Sequence, residues 1–247
     1  MNMTDRIGRR AAARFNLRRR ARALLLIGRM AAAAFLLLAL ASPASAQEGR
    51  YFLRAGGGYS IPFLGNLNDE LENQGNSTVD PGYSLGISLG RRFSDSRFSV
   101  EGHFSTVYYP DFDYKNTTDS FTGQLRHYNY MAIVTWSVLP EGVLFKPVIG
   151  TGLGYGLTNL ISGGGKLGAL EAVFTGRIDS QVGENIELSF ECIYYTGMKS
   201  EKFENPYLQN VDTDFVADSA GNPLEDTFNS LDFRFGITVY LKSRTQQ

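Results

Sequence analysis

The sequence has a single cysteine, Cys192, among its 247 residues, so an internal disulfide framework and a cysteine-rich metal site are both excluded. It has two histidines, His103 and His127, and one tryptophan, Trp136. Past position 46 it is also short of basic residues. The whole chain carries 24 Lys and Arg against 25 Asp and Glu, but residues 1–46 hold nine arginines and one acid, Asp5, leaving 15 basic and 24 acidic residues and a net charge of −9. So acidic a chain offers no basic surface to a polyanion, and nucleic acid is not expected as a partner. From Gln47 onward no stretch reaches the ~18 apolar residues of a membrane-spanning helix, and i, i+3, i+4 periodicity is almost absent.

What is present begins with a leader. Nine arginines crowd Arg6 to Arg29, an apolar run follows from Met30 to Leu40, and Ser42-Pro43-Ala44-Ser45-Ala46 precedes Gln47. Ala44-x-Ala46 fits the small-residue cleavage rule, and an apolar core this short does not make a stable spanning helix. We expect a cleaved signal peptide over 1–46 and one exported domain over 47–247, with no lipid-anchoring cysteine near the cleavage site.

The mature region repeats with period two. Tyr51, Leu53, Ala55, Gly57, Tyr59 and Ile61 alternate with Phe52, Arg54, Gly56, Gly58 and Ser60. The last segment is the cleanest, with Leu231, Phe233, Phe235, Ile237, Val239 and Leu241 set against Asp232, Arg234, Gly236, Thr238 and Tyr240. Eight such segments fall near 50–62, 82–92, 97–109, 124–138, 144–157, 167–179, 186–197 and 230–242. Short joins at Phe93–Ser96, Leu139–Val143 and Ser180–Asn185 alternate with longer ones at Phe63–Pro81, Pro110–Gly123, Thr158–Lys166 and Met198–Asn229. Strands of about ten residues with alternating faces, short turns at one end and long loops at the other are the pattern of a membrane β-barrel.

Which face is apolar separates this from a soluble sandwich or barrel, whose charged face must be outside. Here one face carries Arg54, Glu101, Lys146, Glu171, Arg177, Glu187, Glu191, Asp232 and Arg234 among many glycines and serines, while the other is nearly free of charge. Four bases against five acids predict a lumen locked by ion pairs, since a lone charge inside would cost several kcal/mol. Aromatic residues gather toward strand ends, at Tyr51, Tyr59, Tyr83, Tyr108, Tyr128, Trp136, Tyr155 and Tyr240, as interfacial girdles require. In the fourth strand Arg126 and His127 compete for the inner side. Cys192 falls among the outward residues Ile186, Leu188, Phe190 and Tyr194 and reads as a small hydrophobe.

On these residues the region 50–242 resembles the eight-stranded outer-membrane β-barrel family that includes OmpA-type transmembrane domains, OmpX-type barrels and opacity-type surface proteins. The most specific piece is the final strand, where Arg234-x-Gly236-x-x-Val239-x-Leu241 is similar to the signal by which such barrels are recognised for insertion. Where the family ends on an aromatic residue, this chain continues through Lys242-Ser243-Arg244-Thr245-Gln246-Gln247. The resemblance implies an all-β, eight-stranded antiparallel up-and-down transmembrane barrel, with outer-membrane lipid and the barrel-insertion machinery as partners.

Several motifs bear on chemistry. Glycines at 150, 152, 154 and 156 lack the spacing of a phosphate loop and should instead make room across the lumen for large side chains such as Arg177 or Phe52. Gly163-Gly164-Gly165-Lys166 is followed by Leu167, which rules out a P-loop. Glu101, His103 and Ser105 share one strand face, and their His-x-Ser spacing resembles the pair in outer-membrane lipid A deacylases. Thr106 stands where that motif has Asn, and all three side chains are assigned to the lumen, as a hydrogen-bond cluster.

The longer joins are acidic: Asp69, Glu70, Glu72 and Asp80 in the first, Asp111, Asp113 and Asp119 in the second, and Glu201, Glu204, Asp212, Asp214, Asp218, Glu225 and Asp226 in the fourth. The Asp-x-Asp pairs at 111/113 and 212/214 lack the following Gly and Glu of an EF-hand and read as solvated loop. No cofactor or metal is implied. The expected function is non-enzymatic: a rigid barrel that displays acidic loops at the cell surface for an extracellular ligand or host surface. The alternatives are a small cation-preferring pore, favoured by the lumen acids, and a lipid A hydrolase.

Overall fold

The computed structural model describes residues 50–241 apart from 74, 77, 94–96, 116–119, 141–142, 161–165, 200 and 203–224. The leader and the Asp212/Asp214 pair lie outside the described residues. Eight long strands form the wall: β1 (Arg50–Phe63), β2 (Gly82–Arg92), β3 (Phe98–Lys115), β4 (Ser120–Ser137), β5 (Phe145–Leu160), β6 (Lys166–Gly183), β7 (Ile186–Gly197) and β10 (Asn229–Tyr240). A helix, α1 (Gly65–Asn73), follows β1, and two short strands, β8 (Glu201–Lys202) and β9 (Glu225–Asp226), pair with each other between β7 and β10. Each long strand is antiparallel to its neighbours, and β1 pairs with both β2 and β10, which closes the barrel and leaves the wall no free edge.

Alternation places the two faces. In β1 the side chains of Tyr51 and Leu53 are exposed while Phe52 and Arg54 are buried. In β10 Phe235, Ile237 and Val239 are exposed while Asp232, Arg234 and Thr238 are buried. The outside is therefore apolar and the charges lie within, the reverse of a soluble barrel. The fourth strand resolves in favour of His127, which is fully buried, whereas Arg126 is exposed. Tyr240 departs from the expected girdle: it is buried and faces inward, within 6.0 Å of the Phe52 ring.

Strand lengths depart from the sequence pattern at the long-loop end. β3 and β4 each run 18 residues. β2 leaves β3 after the Tyr83↔Tyr108 pair, and β5 leaves β4 after Leu125↔Leu160, but β3 and β4 stay paired from Asp111↔Gln124 out to Lys115↔Ser120. A two-stranded ribbon of five residues on each strand thus projects about 16 Å past the wall at ~3.3 Å per residue. Asp111 and Asp113, expected in a loop, sit on this ribbon with exposed side chains.

The first long join also folds. Leu64, Leu67 and Leu71 are spaced i, i+3, i+7 and all are buried, giving α1 one apolar stripe. Gly75, the positive-φ glycine at φ 75°, turns the chain out of the helix while Asn76 N–H donates to Leu71 O at 2.8 Å.

Candidate functional site

The lumen and its two ends are where this fold could carry function. At the short-turn end Glu187 gathers three donors: Lys146 Nζ at 2.7 Å, Arg92 Nη1 at 3.3 Å and the Tyr240 hydroxyl at 2.6 Å. One layer further in, Arg177 Nε donates to Asp179 Oδ1 at 2.6 Å, and its Nη1 lies 3.6 Å from Glu191 and 3.9 Å from Glu101. Arg54 Nη1 donates to both Glu101 oxygens, at 2.9 and 3.2 Å, and its Nε to Thr238 at 3.1 Å. Above these, Arg234 pairs with Asp232 and donates to Ser84 Oγ at 3.0 Å.

All nine lumen charges named from the sequence, Arg54, Glu101, Lys146, Glu171, Arg177, Glu187, Glu191, Asp232 and Arg234, lie in this interior with 7% exposure or less. Eight of them enter the three linked layers. Glu171 stands apart, level with His127, whose Nε2 is 3.4 Å from its Oε1. Asp179 and Arg92 also belong to the network, Arg92 Nη2 lying 3.9 Å from Asp179 Oδ2. Their parity signals it, since Asp179 follows Arg177 by two and Arg92 follows Gly90 by two, but both sit at strand ends where boundaries are least certain from sequence.

The inward glycines mark where large side chains cross. A Cβ at Gly86 would meet Arg234 Nη1 at 2.5 Å and His103 at 3.0 Å, and one at Gly90 would run into the Phe52 ring. The β5 glycines serve other neighbours than expected. Gly156 admits the Glu171 carboxylate, Gly154 abuts Met131 and Gly150 lies between Thr135 and Thr175. Phe52 uses β2, and Arg177 lies beside Val148 rather than a β5 glycine.

The Glu101, His103 and Ser105 side chains are all buried in the lumen and do not form a relay. Arg234 Nη1 approaches His103 Nε2 at 3.0 Å, and since a guanidinium only donates, Nε2 accepts and Nδ1 carries the proton toward Ser88 Oγ at 2.7 Å. The basic nitrogen of His103 is thereby occupied. Ser105 bonds instead to Tyr195 at 3.2 Å and to Asn129 at 3.1 Å. The second histidine continues the chain of hydrogen bonds, with His127 Nε2 2.5 Å from Asn129 Oδ1 and its Nδ1 2.8 Å from Thr158. Its ring stacks on Phe228, centroids 3.7 Å apart and 13° from parallel.

Phe228 belongs to an apolar layer that covers this polar column. Leu64, Leu67, Leu71 and Val79 from the first join pack with Val107, Tyr109 and Phe112 of β3, Leu125 of β4 and Leu167 of β6. Asp226 of β9 accepts Leu67 N–H at 3.0 Å and Thr227 N–H at 2.7 Å, and so caps α1 from the far side of the chain. Burial pushes the Asp226 carboxyl above the usual carboxylate range, against the pull of those two N–H groups. Sequence places Glu70 and Asp226 in solvent, and the structure buries both. Among the described residues, a cavity of about 30 Å³ lies at the short-turn mouth beside Arg92, Lys146 and Tyr240, and one of about 10 Å³ lies between Arg54, His103 and Arg234. Each has room for a water or two, not for a solute.

No family model and no curated protein matches the sequence. Solved structures do match in fold. Neisserial surface protein A is similar at a TM-score of 0.53 and 13% identity over 78% of this chain and 99% of that one. A major outer membrane protein of Thermus thermophilus gives 0.49 at 11% identity over 78% and 100%. Ail, the attachment invasion locus protein of Yersinia pestis, solved with the heparin analogue sucrose octasulfate, gives 0.41 at 12% over 78% and 99%. Closed by β1 and β10, apolar outside and charged within, the chain is an eight-stranded β-barrel with the outer-membrane fold of neisserial surface protein A.

Proposed function

We propose that this chain is exported by its leader, spans the outer membrane with its apolar wall, and works at the cell surface as a non-enzymatic binding or adhesion protein. The observation that carries the reading is the closed mouth. Among the described residues, Leu67 and Leu71 of α1 cover the long-loop end above a lumen filled by ion pairs, which argues against solute passage and against access to Ser105, and the β3–β4 ribbon projects toward the exterior. The long-loop end faces outward and the short turns face the periplasm, as in barrels of this type. The lumen charges hold the cylinder rigid beneath the ribbon.

The exposed acids Asp69, Glu72, Asp80, Asp111 and Asp113 make this end negative and select a cationic partner surface. Two measurements test the reading on the refolded chain. In a planar bilayer, folded protein should give no discrete conductance steps; reproducible steps would establish the pore alternative instead. Vesicles carrying the barrel should adhere to immobilised polylysine in a salt-sensitive way and not to heparin. Adhesion no stronger than that of empty vesicles would overturn surface binding.

A further inference from the structure

The outward face is almost without charge, and its exceptions are placed with regularity. Between the levels of Tyr51 and Tyr108, the outward strand positions among the described residues carry two charged side chains, Arg91 and Arg126. Each lies over a tyrosine on the neighbouring strand, Arg91 5.4 Å from the Tyr51 centroid and Arg126 5.4 Å from that of Tyr108. Arg91 pairs with Val100 of β3 and Arg126 with Tyr108 of the same strand. Eight residues of β3 therefore separate the two levels, about 27 Å along a strand, or about 20 Å along the membrane normal at the usual tilt. With side-chain reach added, that brackets an apolar band ~25 Å tall, so each guanidinium sits at one phosphate plane.

The Arg126 end is the more fully built. Tyr59, Tyr83, Tyr108 and Arg126 are register partners in sequence across β1 to β4, one lateral row on the outer surface. Tyr59 and Tyr83 meet edge to face at 6.3 Å, and Tyr83 is 68% exposed. Gln124 fixes the row from above, donating at 2.6 Å to the Tyr108 hydroxyl and at 2.6 Å to Asp111 Oδ1, which engages that carboxylate. Among the described residues Arg126 forms no ion pair. A cation standing on an aromatic shelf, beside ring faces and hydroxyls suited to a sugar, lacks only a phosphate.

We propose that Arg126, Tyr108 and Tyr83 bind the phosphorylated sugar headgroup of a glycolipid in the outer leaflet. This rests on the membrane placement given under Proposed function. The refolded chain, checked for insertion by its heat-dependent gel shift, is examined by native mass spectrometry with diphosphoryl lipid A, with the same glycolipid stripped of phosphate, and with phosphatidylglycerol. The diphosphoryl form should be retained in preference to both. R126Q should weaken it about tenfold, the size of one charge-assisted contact, while R91Q at the opposite rim should not. Equal retention by R126Q, equal retention of phosphatidylglycerol, or displacement by inorganic phosphate would each overturn the site. A chain that fails to insert would overturn the membrane reading along with it.

Discussion

The carboxylate of Asp226 accepts the backbone N–H of Leu67 at 3.0 Å, across 159 positions of sequence. That bond joins the last long connection to the first and supplies the cap that α1 lacks locally, since Leu64 precedes the helix where a capping side chain would stand. Replacing Asp226 with Ala should loosen α1 by about 1 kcal/mol, a roughly fivefold faster local opening at Leu67 by hydrogen exchange. The barrel itself should keep its gel shift.

The same residue sets a pH dependence. Burial raises the Asp226 carboxyl, so the folded mouth holds its proton more tightly than the opened one. The associated stability is full below the ordinary Asp value and is lost as pH rises through the raised one. Local opening at Leu67, corrected for intrinsic exchange, should therefore slow as pH falls through that window. Asp226→Asn keeps an acceptor and should abolish the dependence. An opening rate that increases on acidification in the parent chain would contradict the assignment.

Two buried charges should respond differently to removal. Arg177 serves Asp179, Glu101 and Glu191 together, and Arg177→Ala leaves those acids short of a cation, at about 3–5 kcal/mol. Glu171 has no Arg or Lys within ion-pair distance among the described residues and meets His127 at 3.4 Å, so Glu171→Gln removes far less. Urea unfolding from lipid vesicles should show a large loss for the first and a small change for the second.

Much of this was legible beforehand and some was not. Period two placed eight strands, seven of them to within four residues at either end and β3 short by six at its outer end, and put Arg54, Glu101, Arg177 and Arg234 on the inner face, because a barrel wall forces every second side chain inward. The ribbon was not legible: past Tyr108 the strands lose the apolar outer partner that makes alternation visible, and Asp111 and Asp113 look like loop. Nor was α1, although Leu64, Leu67 and Leu71 carry its signal, since three apolar positions among acids are outweighed by the surrounding polarity. Which inward groups touch depends on barrel shear, so the neighbours of the β5 glycines could not be read from one strand alone.

Lumen chemistry yields a separate test. His103 gives its acceptor nitrogen to Arg234, and Ser105 is buried against Tyr195 and Asn129. Ser105→Ala should leave the lipid A of expressing cells unchanged and cost about 1 kcal/mol, the worth of a lost buried hydrogen bond. Deacylated lipid A that disappears with Ser105→Ala would reinstate the hydrolase.

A pair of glycine substitutions tests how tightly the lumen is filled. A Cβ at Gly156 would overlap the buried Glu171 carboxylate and push it from its place 3.4 Å from His127 Nε2. Gly176 points outward, where a Cβ would meet nothing within 4 Å. Both sit in strand interiors, so propensity alone predicts a small gain from alanine at either. Overpacking reverses the sign at one of them: Gly156→Ala should lose about 1–3 kcal/mol while Gly176→Ala is neutral or slightly stabilised. Equal behaviour of the two in urea unfolding would mean that the column around Glu171 has room to spare, and with it space for water to pass.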